Sequence, residues 1–249
     1  MDDAKYYNAL GIALKGNYSK INKVWEKFGS WEKAWQNTKN APDPDKELAE
    51  LNKLGVKIIL KSDPAYPRLL NEIPLPPFAI YALGDLDYSE PAIAIVGTRN
   101  ATPQGKSIAR SFASDLAAAN VPIISGLALG IDAEAHAGAI ESSGKTIAVL
   151  GTPLNYIYPR QNEKIAEKIL KTGGAIISEF PFGHPYNPAN FLARNRIISG
   201  LSKAVIIVEA AVHSGSLVTA RYALEQGREV FVVEPPNKNV SYEGNWRLL

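Results

Sequence analysis

The feature that most constrains this chain is a series of six apolar runs starting at Ile93: "IAIVG", "VPIIS", "TIAVLG", "AIISE", "AVIIVE" and "EVFVV". Runs that are apolar at every position, rather than at alternate ones, are strands covered on both faces. Helical stretches separate them, and alternating strands and helices build a parallel, doubly wound sheet. The expected fold is therefore α/β, with a Rossmann-like, mostly parallel sheet over residues 91–249. Ligands of such sheets sit beyond the carboxyl ends of the strands, so the loops after the six runs are where function is expected.

Upstream, residues 1–62 read as a small all-α domain. "YYNALGIAL", "SKINKVWEKFG", "SWEKAWQN" and "DKELAELNKLG" carry apolar residues three or four apart. Gly16, Gly29 and Gly55 stand where such helices would end, and Ser30 and Asp45 suit the caps of new ones. Residues 63–90 are proline-rich and end in an apolar segment around Phe78 to Leu83, which suits an extended connector adding an edge strand.

Composition narrows the chemistry. The 249 residues include no cysteine, which excludes thiolate metal sites and disulfides and permits a reducing cytoplasm. His136, His184 and His213 show no metal-ligand spacing, so neither a metal nor a cofactor is expected. The first residues lack the basic start of a signal peptide and no apolar stretch approaches membrane-spanning length, so a cytoplasmic protein is expected. A net charge of +2 means that any polyanion site must be local.

The loop after the first run is "GTRNATPQGKSIAR", where Pro103 suits a helix start. In the turn carrying Thr98 and Arg99, an anion is expected to be held jointly by the Arg99 guanidinium and the backbone N–H groups of that helix. The competing assignment pairs Arg99 with a carboxylate such as Asp132. "GKS" at 105–107 and "GKT" at 144–146 fail as phosphate-binding P-loops, because Asn100 and Ala139 occupy the places of the required glycine. After the second run, Ser125, Gly126 and Gly130 form a turn with Asp132 as the expected helix cap; Ser125 is either a phosphate donor or a cap. His136 reads as a packed histidine bonded to a neighbouring segment.

The third loop supplies Tyr156, Tyr158, Arg160 and Lys164, with Arg160 and Lys164 four apart at a helix start. The fourth, "EFPFGHPYNPANFLARNRIISGLS", mixes aromatics with cations, a combination able to stack bases and hold phosphates, although Phe180 and Phe182 read better as plugs of the sheet end. Arg194 and Arg196 are about 200° apart around their helix, so at most one faces a pocket and the other anchors a loop or another subunit. The fifth loop places Ser214, Gly215, Ser216 and Thr219 at a helix start, a further anion contact.

Taken together, "VGTRNATPQG", "SGLALGIDAEAHAGAI", "TIAVLGTPLNYIYPRQN", "SEFPFG", "NFLARNRIISGLSKAVIIVEA", "SGSLVTARYALEQGREVFVV" and "GNWRLL" resemble, in order, the bacterial DNA-processing protein A family (DprA/Smf), from about Asp63 onward. The N-terminal helices resemble that family's SAM or helix-hairpin-helix-like domain. The resemblance implies a non-enzymatic protein that binds single-stranded DNA, dimerises through its Rossmann-like domain, loads the RecA recombinase and serves natural transformation. It also implies Arg99 as the main phosphate contact, with Ser125, Gly126 and Gly130 lining the pocket, Arg160, Asn162 or Lys164 at its rim, and Arg194 or Asn195 from the fourth loop. Thr98 and Ser214 to Ser216 would support the phosphate. Many relatives continue into a winged helix, whereas this chain stops at "GNWRLL", and "VVEPPNKN" replaces the usual proline-glycine stretch. The alternative is a nucleotide-binding or nucleoside-monophosphate-cleaving protein of phosphoribohydrolase type, but Ala220 or Arg221 stands where that chemistry needs a glutamate.

Overall fold

The computed structural model describes residues 2–86, 91–235 and 239–249. Part of the connector (87–90) and part of "VVEPPNKN" (236–238) lie outside the described residues. Four helices come first: α1 (Asp2–Ala13), α2 (Tyr18–Phe28), α3 (Trp31–Gln36) and α4 (Pro44–Lys53). Then follow β1 (Lys57–Leu60), α5 (Arg68–Asn71), β2 (Ala79–Gly84), β3 (Ile93–Val96), α6 (Pro103–Ala118), β4 (Ile123–Ser125), α7 (Ile131–Glu141) and β5 (Thr146–Leu150). A 3-10 turn (Arg160–Asn162) leads into α8 (Glu163–Lys171), and β6 (Ala175–Ser178), α9 (Ala189–Gly200), β7 (Ala204–Ile207), α10 (Gly215–Glu225), β8 (Glu229–Val232) and α11 (Glu243–Leu248) complete the order.

Each of the six apolar runs contains a strand, and β3 to β8 pair in parallel in the order β6-β5-β4-β3-β7-β8. The chain winds outward from β3 in both directions, so β3 and β7 flank the point where the strand order reverses. The segment after Phe78 does form a strand, but β2 is not at the edge: it pairs antiparallel with β6 on one side and with β1 on the other. β1 comes from residues read as the end of a helical region, so 1–62 is not wholly helical. Ser30 and Gly29 cap helices as expected, whereas α4 is capped by Asp43, whose carboxylate accepts from the N–H of Asp45 and Lys46.

In β3 to β7 strand side chains alternate between two buried faces, whereas the run "EVFVV" is not covered on both faces as expected: β8 is an edge strand that leaves Glu229 and Phe231 exposed. Ala94 and Val96 join Val149, Ile177 and Ile197 on one face, while Ile95 joins Ala109, Ile131 and Ala135 beneath α6 and α7 on the other. The N-terminal helices are part of the same packing, since Tyr7, Leu10 and Trp31 form one cluster with Tyr81, Leu150 and Ile176 of the sheet. Among the described residues, no helix is long and apolar enough to cross a membrane.

Candidate functional site

A cavity of about 390 Å³ opens at the carboxyl ends of β3 and β7, where the strand order reverses. Gly97 to Asn100 form the β3 side, Ala128 and Asp132 a second wall, Phe191, Arg194 and Asn195 of α9 a third, and His213 to Ser216 with Thr219 the start of α10. A smaller hollow adjoins it, lined by Arg99, Gly126, Leu129, Tyr158, Pro159 and Phe191. Arg99 and Phe191 are common to both, and the exposed Arg99 guanidinium lies 5.8 Å from the Phe191 ring centroid. Tyr158 and Tyr186 pack on Phe191 with centroids 5.4 and 5.8 Å away. The result is a cation set on a cluster of partly exposed rings, a surface suited to phosphate and base contacts together.

Among the described residues, Arg99 has no carboxylate within ion-pair distance, so the pairing with Asp132 does not form. Asp132 is instead buried at the second position of α7, where its Oδ2 accepts from the N–H of Gly126 (3.1 Å) and Ala128 (3.4 Å); Gly130, not Asp132, is the cap. Burial pushes the Asp132 carboxyl above the usual carboxylate range, while the nearby Arg194 charge and those N–H groups pull it back.

Several expected contacts are reassigned by burial. Ser125 is fully buried and its hydroxyl donates to the Ile95 carbonyl at 2.7 Å, so it stitches β4 to β3 and is neither a cap nor a ligand contact. Gly130, at φ 77°, serves a close approach of backbones, because a Cβ there would overlap the Thr98 and Arg99 carbonyls. Gly126 lines only the smaller hollow and leaves room for the Arg194 guanidinium. Arg194 belongs to the cavity wall but is buried, with Nη1 donating to the Gly126 carbonyl at 2.8 Å and to that of Val149. Burial pushes its guanidinium down to about 10. Asn162 is buried too, donating to the Leu127 and Ala128 carbonyls at 2.9 and 3.0 Å. Asn195 lines the cavity and donates to the Gly215 carbonyl, bracing α9 against the start of α10. Arg160 and Lys164 are exposed and line neither cavity, although Arg160 follows Pro159 of the smaller hollow.

Arg196 points away from Arg194, as their spacing requires. It forms a bidentate pair with Glu179 at 2.6 and 2.9 Å and donates to the Leu75 carbonyl, tying the fourth loop to the connector. His136 is fully buried, with Nδ1 against the Thr146 hydroxyl at 2.7 Å. Phe180 is buried and stacked on His184.

The residue that sequence reading missed is Glu209. It follows β7, is fully buried, and accepts from the Thr102 N–H (3.0 and 3.2 Å) and hydroxyl (2.8 Å). Thr102 caps α6, and its hydroxyl in turn accepts from Gly105 N–H. The start of α6, expected to hold an external anion, thus holds the protein's own carboxylate. An acid closing an otherwise apolar strand run, across the sheet from a Thr-Pro helix start, is the signal that was available.

The start of α10 is different. Ser214 caps it, accepting from Ser216 N–H, and Ser214, Gly215 and Ser216 all face the cavity. Arg99 and the α10 amino terminus therefore face one space at the strand-order reversal, with no carboxylate among the described residues paired to the arginine.

Among known proteins, the family model described as DNA recombination-mediator protein A matches residues 57–249. The chain belongs to this family. It is 46% identical to Protein Smf of Synechocystis over 198 residues, covering 78% of this chain and 50% of that protein. With the DNA processing protein DprA of Bacillus subtilis it shares 41% identity over 194 residues, 77% of this chain and 65% of the relative. The chain spans about half the length of the Synechocystis and Escherichia coli Smf proteins that it matches. In three dimensions it resembles DprA of Streptococcus pneumoniae with a TM-score of 0.78 and 30% identity, over 98% of this chain and 91% of that one. It also resembles DNA processing protein A of Helicobacter pylori, described for its unique single-stranded DNA binding mode, with a TM-score of 0.70 and 32% identity over 78% and 86% of the two chains.

Proposed function

We propose that this DprA-family chain binds single-stranded DNA at the cavity between β3 and β7 and acts as a recombination mediator. The observation that carries the reading is Arg99, without a carboxylate partner among the described residues, set on the Phe191 ring and facing the amino terminus of α10. A guanidinium and helix-start N–H groups hold a backbone phosphate, and the rings at Tyr158, Tyr186 and Phe191 offer faces for bases. Arg160 and Lys164 extend the positive rim beyond Pro159, and Thr98, Ser214 and Ser216 support the phosphate. The similar DNA processing protein A of Helicobacter pylori is described as binding single-stranded DNA, which supports the choice of ligand.

In this reading the protein protects incoming DNA in the cytoplasm, loads RecA and works without a cofactor. It acts as a dimer: edge strand β8 and the C-terminal residues expose Phe231, Val240, Trp246 and Leu249, an apolar surface suited to a second copy. Two sites per dimer hold long strands more tightly than short ones. We also propose a helical N-terminal unit ahead of the DNA-binding sheet, with the connector of residues 63–90 between them and β1 contributed to the sheet from the end of the N-terminal unit.

The test is fluorescence anisotropy with labelled oligo-dT. Binding is expected to weaken with salt, and Arg99→Ala to reduce affinity at least about tenfold, roughly 1.4 kcal/mol. Absence of binding to unpaired oligonucleotides at low salt, or release of free base from AMP or CMP, refutes it.

A further inference from the structure

Residues 126–128 follow β4 and pass beneath the cavity without regular secondary structure. Asp132 of α7 accepts from the N–H of Gly126 and of Ala128. Arg194 of α9 donates to the Gly126 carbonyl, and Asn162, just ahead of α8, donates to the carbonyls of Leu127 and Ala128. Side chains from three separate elements thus hold both ends of this short segment. The middle residue, Leu127, has φ 57°, a left-handed conformation costly for a branched side chain, and it persists where its surroundings over-determine it. Its side chain is fully buried.

The same loop then bears on the backbone that carries Arg99. Ile131 N–H donates to the Thr98 carbonyl at 3.2 Å, and Gly130 packs against the Thr98 and Arg99 carbonyls closely enough to exclude a Cβ. The Thr98 N–H is fixed from the other side by the Glu209 carbonyl at 2.7 Å. A mechanical path therefore runs from the three buried side chains, through 126–130, to the peptide planes flanking Arg99.

We infer that Asp132, Asn162 and Arg194 are positioning residues: they touch no DNA, and they clamp the 126–128 segment so that Arg99 is held ready for a phosphate before the strand arrives. Binding then avoids the entropy of ordering this wall of the cavity. The inference rests on Arg99 being the phosphate contact, and it assigns to Asp132 a role in DNA affinity although it is an acid beside a polyanion site. A carboxylate there otherwise repels the strand, so its removal would tighten binding; the clamp predicts the opposite sign.

The experiment is a double-mutant cycle on the full chain, read by oligo-dT anisotropy, with Asp132→Ala and Asn162→Ser each made alone and with Arg99→Ala. Thermal melting and near-ultraviolet circular dichroism establish which variants are folded. Each single clamp variant is expected to bind about five- to twentyfold more weakly. In the Arg99→Ala background the same change is expected to cost less than about twofold, because the residue being positioned is gone. General destabilisation would not spare the double variant in this way. Wild-type or tighter binding by the folded clamp variants overturns the inference, as do losses that multiply with that of Arg99→Ala. If Asp132→Ala does not fold, Asn162→Ser carries the same two outcomes. Unchanged binding by Arg99→Ala alone instead overturns the site itself, a result distinct from failure of the clamp.

Discussion

Helices α6 and α10 begin at the same rim of the sheet, on either side of the reversal between β3 and β7, yet their amino termini are used in opposite ways. At α6 the buried Glu209 carboxylate takes the Thr102 N–H and hydroxyl. At α10 the Ser214 cap and its neighbours face open space opposite Arg99. The first helix of a Rossmann-type sheet is the usual phosphate seat, through its N–H groups and dipole. Here an internal anion fills that seat, and the open positive end lies one strand away. The fold alone therefore does not say which helix receives the ligand; in the reading proposed above, the occupancy of each terminus decides it.

Four measurements break or sharpen that contrast. The largest effect is expected from acid. Burial pushes His136, on the buried face of α7, down to about 3, far below its unfolded value near 6.5. The unfolded chain takes up this proton first, so stability is full above about pH 6.5 and falls as pH drops towards 3. By pH 4 the loss attributable to His136 reaches about 3 kcal/mol. Asp132, pushed the other way, acts in the opposite sense, so the comparison is between urea melts of wild type and His136→Gln, with the variant less acid-sensitive.

Next comes Glu209→Gln, which replaces an acceptor pair by a group carrying N–H against Thr102. We expect about 2 kcal/mol of lost stability in urea, with oligo-dT affinity changed less than twofold. A large loss of DNA affinity in a folded Glu209→Gln protein would bring α6 back as part of the site. Arg99→Ala has the third effect, about 1.4 kcal/mol in binding, and it should flatten the log affinity against log salt plot by about 0.7, the value for one phosphate on a single strand. An unchanged slope would move Arg99 off the backbone contact. Ser214→Ala is expected to be smallest, about 1 kcal/mol of helix stability and a few-fold in DNA affinity, while Thr102→Ala alters stability only.

How much of this was readable beforehand follows from how directly each residue's neighbours are encoded. Strands β3 to β7 were legible because burial on both faces writes itself as continuous apolar runs; β8 carries the same kind of run yet is an edge strand with Phe231 exposed, so there the pattern marked the strand but not its cover. β1 was not: "KIIL" is four residues long, follows a helical pattern, and becomes a strand only by pairing with β2. Arg99 could be picked out because a loop position after a strand puts a side chain at the rim. Arg194, Asn162 and Ser125 could be placed near the site, but not turned inward or outward, since that depends on carbonyls contributed by distant segments. Arg194 and Arg196 illustrate the limit, for helical geometry separates them while only the fold decides which meets Glu179. Glu209 escaped because its partner, Thr102, is 107 residues away.

The cluster joining Tyr7, Leu10 and Trp31 to Tyr81, Leu150 and Ile176 has an engineering corollary. A fragment trimmed to residues 57–249 would bare a greasy underside beneath β5 and β6 and turn sticky at working concentrations. Swapping the leading helices between relatives would succeed only where the incoming graft matches this apolar seam.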